Sequence, residues 1–98
     1  MSDAHEITIL VPTPLRRFTD GQAKVGVSGT TVADALDDLN TRFPGISERL
    51  LDDEGQIRRF VNIFVNGHNI RDADGAQTSL KSGDEVGIIP AMAGGRTR

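Results

Sequence analysis

The sequence predicts an α+β fold in which one mixed sheet is covered by a single main helix, and three observations carry that prediction. Ile7, Ile9 and Val11 alternate at period two, as do Ala23, Val25 and Val27, the spacing of strands with one buried face. Val32, Leu36, Leu39 and Phe43 recur at helical spacing, with Asp37, Asp38 and Asn40 on other faces. Two further apolar strand patterns follow the helix, at 57–65 and 85–90. Strand, strand, helix, strand, short strand, strand is an order that places the helix on one face of one sheet.

The first strand, Glu6 to Val11, is closed by Pro12 and Pro14, which cannot donate to a ladder. Phe18-Thr19-Asp20-Gly21 carries turn chemistry, so the first two strands form an antiparallel hairpin. Thr31 caps the helix, with Asp34 near the positive end of its dipole. Pro44-Gly45 stops it, and Ile46 to Leu51 makes one further helical turn before the acidic loop Asp52-Asp53-Glu54-Gly55. The longest strand is expected from Ile57 to Val65. Ile57, Val61, Ile63 and Val65 share one face, broken by Arg59, and Phe60, Asn62 and Phe64 share the other. Asn66-Gly67 is a tight turn, His68 to Arg71 a short returning strand, and 72–78 a loop. Ser82-Gly83-Asp84 turns into the last strand, Glu85 to Pro90. An opening hairpin, a long helix and a final strand make the β-grasp arrangement, with first and last strands parallel at the sheet centre. Val32, Leu36 and Leu39 should then pack on Ile9, Val25, Val61, Ile63 and Val86. The domain is expected over 1–91. Residues 92–98, small and without periodicity, are expected to form a mobile tail.

Composition narrows the function. The chain has 98 residues, 37% hydrophobic and 26% charged, which suits one soluble domain with its own core. A net charge of -3 gives no footprint for nucleic acid and none for an anionic membrane surface. No apolar run is long enough to span a bilayer. Residues 1–6 lack the basic segment and apolar run of a secretory signal, so a cytoplasmic location is expected. There is no cysteine, hence no thiolate nucleophile, persulfide or cysteine-ligated zinc on this chain. Asp52-Asp53-Glu54 and the pair Asp72 and Asp74 lack calcium-loop spacing and read as solvated turns. His5 and His68 stand alone, so no metal site is expected. Arg58 and Arg59 read as a charged strand edge, and Arg16-Arg17 as a loop cluster.

The C-terminal segment Asp84-Glu85-Val86-Gly87-Ile88-Ile89-Pro90-Ala91-Met92-Ala93-Gly94-Gly95 resembles the ThiS/MoaD family of ubiquitin-like sulfur carriers. In that family an acidic turn, an apolar last strand and a proline lead to Gly-Gly. The opening strand, Thr31-Val32-Ala33-Asp34-Ala35-Leu36 and Val61-Asn62-Ile63-Phe64-Val65-Asn66-Gly67 sit where the family has them. Gly45 to Leu50 and Arg59 to Ile63 are most similar to the actinobacterial carriers of cysteine biosynthesis. The resemblance implies a protein cosubstrate, not an enzyme. An E1-like adenylating enzyme would spend ATP on the Gly95 carboxylate, and sulfur would then replace AMP to leave a thiocarboxylate. Gly94 would let the tail enter a narrow channel, having no Cβ. The chain itself would bind no cofactor. The acceptor would be a cysteine-synthase-like enzyme, a thiazole synthase or the molybdopterin synthase large subunit. One departure stands out: Arg96-Thr97-Arg98 follows Gly95. The resemblance implies a JAMM-type metallopeptidase that cuts between Gly95 and Arg96.

Two matters stay open at the level of sequence. Phe60 and Phe64 oppose the Val61/Ile63/Val65 face, and Ile89 is out of phase with Val86 and Ile88. The three either form an exposed docking patch for the E1-like enzyme or are core residues under a loop. The same activated carboxyl end also suits a ubiquitin-like modifier joined to lysines, or the small subunit of molybdopterin synthase. A binding domain with an incidental Gly-Gly is the plainest reading.

Overall fold

The computed structural model describes residues 6–90. Five strands form one sheet: β1 (Glu6–Leu10), β2 (Lys24–Ser28), β3 (Val61–Val65), β4 (His68–Asn69) and β5 (Glu85–Pro90). Their order is β2-β1-β5-β3-β4. β1 and β5 pair in parallel at the centre, Ile9 opposite Val86, and the other neighbours are antiparallel. This is the expected β-grasp topology. Helix α1 (Val32–Arg42) covers one face, and α2 (Ser47–Leu50) adds a turn beside it.

The helix starts where the sequence places its cap. The Thr31 hydroxyl oxygen accepts from the Asp34 amide at 3.2 Å, and the Thr30 hydroxyl donates to the Asp34 carboxylate at 2.9 Å. The first satisfies one of the amides left unpaired at a helix N-terminus, and the second holds the Asp34 carboxylate beside it. α1 buries Val32, Ala35, Leu36 and Leu39 against Ile7, Ile9, Val25, Val27, Val61, Ile63, Val86 and Ile88. The β2–α1 connection is tight enough to require glycine. A Cβ on Gly29 would lie 2.7 Å from the Ala35 nitrogen. Asp38 also ties the two elements, accepting from the Ser28 amide at 2.9 Å and from Arg42 Nε at 3.0 Å. At the far end the Asn40 side-chain oxygen accepts from the Gly45 and Ser47 amides. That bond set folds the chain back and brings Ile46 and Leu50 into the core.

Several expectations need correction. The hairpin connection contains a 3-10 helix, Thr13–Phe18, which buries Leu15 and the Thr19 that follows it. The Thr19 hydroxyl lies 2.9 Å from the Gln22 carbonyl oxygen and 3.2 Å from that of Arg16, so it is buried with partners. The chain enters β2 from a turn with positive φ at Asp20 and Gly21. Ala23 therefore precedes the strand and is exposed, giving only its carbonyl to the Val11 amide.

The strand expected from Ile57 covers only Val61–Val65. Asp52 closes its own loop, its carboxylate accepting from the Glu54 and Gln56 amides. Ile57 then pairs with Leu51 in an isolated bridge. Val61 donates to the Arg58 carbonyl across a turn, so Arg58 and Arg59 lie in that turn and not on a strand edge. The returning strand stops at Asn69. Its side chain accepts from the Arg71 amide at 2.9 Å and starts a 3-10 turn, Ile70–Asp72, that buries Ile70.

Candidate functional site: the outer sheet face and the root of the tail

Strand registers decide what lies on the face away from α1, because residues directly opposite each other share a face. Gly87 of β5 stands between Leu10 of β1 and Phe64 of β3, so these three form one row across the centre of the sheet. Ile89 stands opposite Asn62 in the next row toward the C-terminal end of β5. Phe60 and Ile89 are 51% and 53% exposed, the large hydrophobic side chains most open to solvent among the described residues. They are not core residues under a loop.

Phe64 departs from the expectation of a freely outward ring: it is on this face but half-buried, as is Leu10. Phe64 sits inside the sheet, with β5 on one side and Asn69 of β4 opposite it on the other. Phe60 lies in the turn before β3, where nothing flanks it in a ladder.

That turn is held by a residue that no sequence pattern singles out. Arg71 Nη2 lies 3.3, 3.0 and 2.8 Å from the carbonyl oxygens of Arg58, Arg59 and Val61. A guanidinium that collects several carbonyls fixes their geometry, since charge-assisted bonds are the stronger ones. It thereby fixes the backbone on both sides of Phe60. No sequence pattern pairs Arg71 with a turn ten residues earlier. Leu10, by contrast, was findable, since it lies out of phase with Ile9 and Val11 just as Ile89 does with Ile88.

β5 is the last described strand and is paired on both sides. At its start the Asn66 side chain accepts from the Glu85 amide and donates to Asp84 Oδ1, each at 3.0 Å. Asn66 can do so because its φ is positive, +52°, in the Asn-Gly turn. At its end Pro90 stands opposite Val61. Gly94, Gly95 and Arg96 lie outside the described residues. Beside the Leu10–Gly87 row is a shallow depression of about 360 Å³ lined in part by Leu10, Pro12, Arg16, Lys24, Gly87 and Ile89. Arg16 is fixed there by a bond from Nε to the Val11 carbonyl at 3.0 Å.

The clearest electrostatic perturbation lies away from this face. The Ser28 amide beside Asp38, helped by Arg42, holds its carboxyl below the usual aspartate value against the opposing effect of burial. Among the described residues no group of three or more acidic or histidine side chains is arranged to hold a metal ion. No described helix is long and apolar enough to cross a membrane. The outer face offers the exposed apolar side chains of Phe60 and Ile89.

Comparison with known proteins agrees with this arrangement. The ThiS family model matches residues 9–95. The sulfur carrier protein CysO of Mycobacterium tuberculosis is 45% identical over 91 residues, covering 91% of this chain and 98% of that protein. The CysO-type chain in the crystal structure of the Amycolatopsis orientalis BexX/CysO complex superposes with a TM-score of 0.86 at 39% identity. It covers 91% of this chain and 99% of that one. Small archaeal modifier protein 1 of Methanosarcina acetivorans is similar at a TM-score of 0.82 and 31% identity, covering 96% of this chain and all 100% of that one. With its β-grasp sheet, its apolar outer face and a family match reaching Gly95, this chain belongs to the ThiS family.

Proposed function

We propose that this chain is a sulfur carrier that holds sulfur as a thiocarboxylate on Gly95 and donates it in biosynthesis, with cysteine formation as the pathway. The observation that carries this reading is the family match running through β5 to Gly95, together with the identity to a sulfur carrier along nearly the whole chain. The chain acts as a cosubstrate. A carboxylate is a poor electrophile, so an E1-like enzyme joins the Gly95 carboxylate to the α-phosphate of ATP and pyrophosphate leaves. Sulfide sulfur then attacks the acyl carbon, the bond to AMP breaks, and the thiocarboxylate remains. A sulfur-accepting synthase takes the sulfur from it. ATP belongs to the activating enzyme, and the carrier contributes the tail and the surface that presents it. Phe60 and Ile89, with the half-buried Phe64, form that surface.

Adenylation requires a free carboxylate, and in this sequence Gly95 is in peptide linkage to Arg96. A JAMM-type metallopeptidase would therefore hydrolyse the Gly95–Arg96 bond first. The test uses two forms of the protein, the full chain and one ending at Gly95. Each is incubated with the activating enzyme, ATP and sulfide, then weighed by intact-mass spectrometry. An oxygen-to-sulfur mass gain is expected on the form ending at Gly95 and none on the full chain. Equal sulfuration of the full chain would refute the processing step. No gain on either form would remove the carrier reading.

The similarity to a small archaeal modifier protein favours a second reading, in which the same acyl adenylate is passed to lysines of target proteins. Denaturing gels of cell extract separate the two, since a modifier leaves a ladder of covalent adducts.

A further inference from the structure

We propose that this chain binds a small apolar monocarboxylate in a cavity on the α1 side of β3, with Arg71 holding the carboxylate. The site lies across the sheet from the outer face and does not depend on the carrier reading.

Val61 and Ile63 of β3 turn their side chains into the core. Two short segments approach them from the chain on either side: the stretch that ends in the Leu51–Ile57 bridge, and the 3-10 turn Gly75–Gln77. Between these segments is a cavity of about 390 Å³, a size at which small ligands are held. Both segments turn on glycine, since Gly55 and Gly75 have φ of +81° and +59°. Neither residue therefore brings a side chain to fill the gap, and a Cβ built on either would meet nothing within 4 Å. The aliphatic side chains of Ile57, Val61, Ile63 and Ile70 contribute to the lining, which suits the apolar body of a ligand.

The polar end of that ligand follows from Arg71, the one charged residue that lines the cavity. Its guanidinium is fixed in place, with Nη2 within 3.3 Å of three backbone carbonyl oxygens. A guanidinium has five N–H donors, and those on Nε and Nη1 have no hydrogen-bond partner among the described residues. Nor does a described carboxylate pair with it, the ion pair there being that of Arg42 with Asp38. An arginine already immobilised by the fold has little freedom left to lose on binding, and its bond to a carboxylate is charge-assisted. The rim sets the ligand's charge. Asp53-Glu54 precedes Gly55 and Asp74 precedes Gly75, all three exposed. A phosphate or a dicarboxylate would meet their repulsion with no second cation in the lining to offset it. A single carboxylate on a branched or short aliphatic chain is the chemistry that fits.

The test titrates the isotopically labelled full chain with 4-methylpentanoate, with the matching alcohol 4-methylpentanol and with the dicarboxylate hexanedioate, following the backbone amides by NMR. Saturable shifts are expected for 4-methylpentanoate at 55–57, 61–63 and 70–77. Its affinity should exceed that of either other probe about tenfold, the worth of one hydrogen bond to a charged group. Ala76→Leu enlarges a side chain in the lining and should abolish the shifts while the melting temperature is kept. Arg71→Gln should lower the acid to the affinity of the alcohol. Absence of saturable binding, equal binding of acid and alcohol, or shifts confined to other segments would overturn the proposal. So would binding that survives in a folded Ala76→Leu protein. If either variant fails to fold, the three probes on the unaltered protein decide.

Discussion

Asp38 shows how one side chain can join two elements through its charge. Its carboxylate accepts from the Ser28 amide at the end of β2 and from Arg42 one turn further along α1. Both favour the charged form, so its folded pKa lies below the ordinary value. The sign follows directly. A depressed carboxyl pKa adds stability that is present above the unfolded value, near ~3.9, and lost as pH falls through the folded value. Asp38→Asn should cost about 1 kcal/mol at neutral pH, given that the group is part-exposed. The gap between variant and parent should close in denaturant melts taken below that range. A gap that stays constant from neutral to strongly acidic pH would mean the charge is not its source. The sequence placed Asp34 near the positive end of the helix dipole, and it lies in the first turn of α1. Asp38 read only as a polar helix position, because the partner amide lies ten residues earlier, on another element.

At the scale of elements, α1 was legible almost to the residue. Its cap, its buried stripe and its stop all follow from local chemistry, and the Val32, Leu36, Leu39 stripe meets the sheet as the spacing requires. Leu36 is 1% exposed, so Leu36→Ala should destabilise the domain by roughly 2–5 kcal/mol. Chemical denaturation would measure it, and a loss near zero would take the helix off the sheet. β3 was less legible. The alternation from Ile57 to Val65 is real, but Asp52 and Arg71 hold the chain before Val61 in turns. Period two marks which residues can be strand. Hydrogen bonds from elsewhere in the chain decide how much of that stretch is.

At the scale of the whole molecule, the proposed function assigns recognition to the described domain and the reacting carboxylate to Gly95, and this division can be tested directly. A chain ending at Pro90 keeps the outer face but has no glycine to activate. It should inhibit sulfuration of the form ending at Gly95 competitively, with kcat of the uninhibited reaction unaffected. Absence of inhibition at concentrations well above KM would place recognition in the tail alone. The face exists only because β5, last in the sequence, inserts between β1 and β3. That insertion sets Leu10 and Phe64 on either side of Gly87, although the three are far apart in the chain.

The sequence by itself determined the periodicities, the helix cap and stop, the turn at Asn66-Gly67 and the Gly94-Gly95 ending that resembles the family. Each of these is local, resting on dihedral preferences and on side chains a few residues apart. Tertiary structure alone decided how far each apolar side chain is exposed. Phe60 and Phe64 have equal claims by pattern, yet one lies open in an Arg71-held turn and the other is half-covered between strands. Gly87 likewise reads in sequence as one more glycine in a strand. Only the packing shows that the fold has room for a side chain there, where a Cβ would meet nothing closer than the Phe64 carbonyl oxygen at 4.0 Å. Exposure depends on neighbours brought in from distant segments, and no local spacing encodes which neighbours those are.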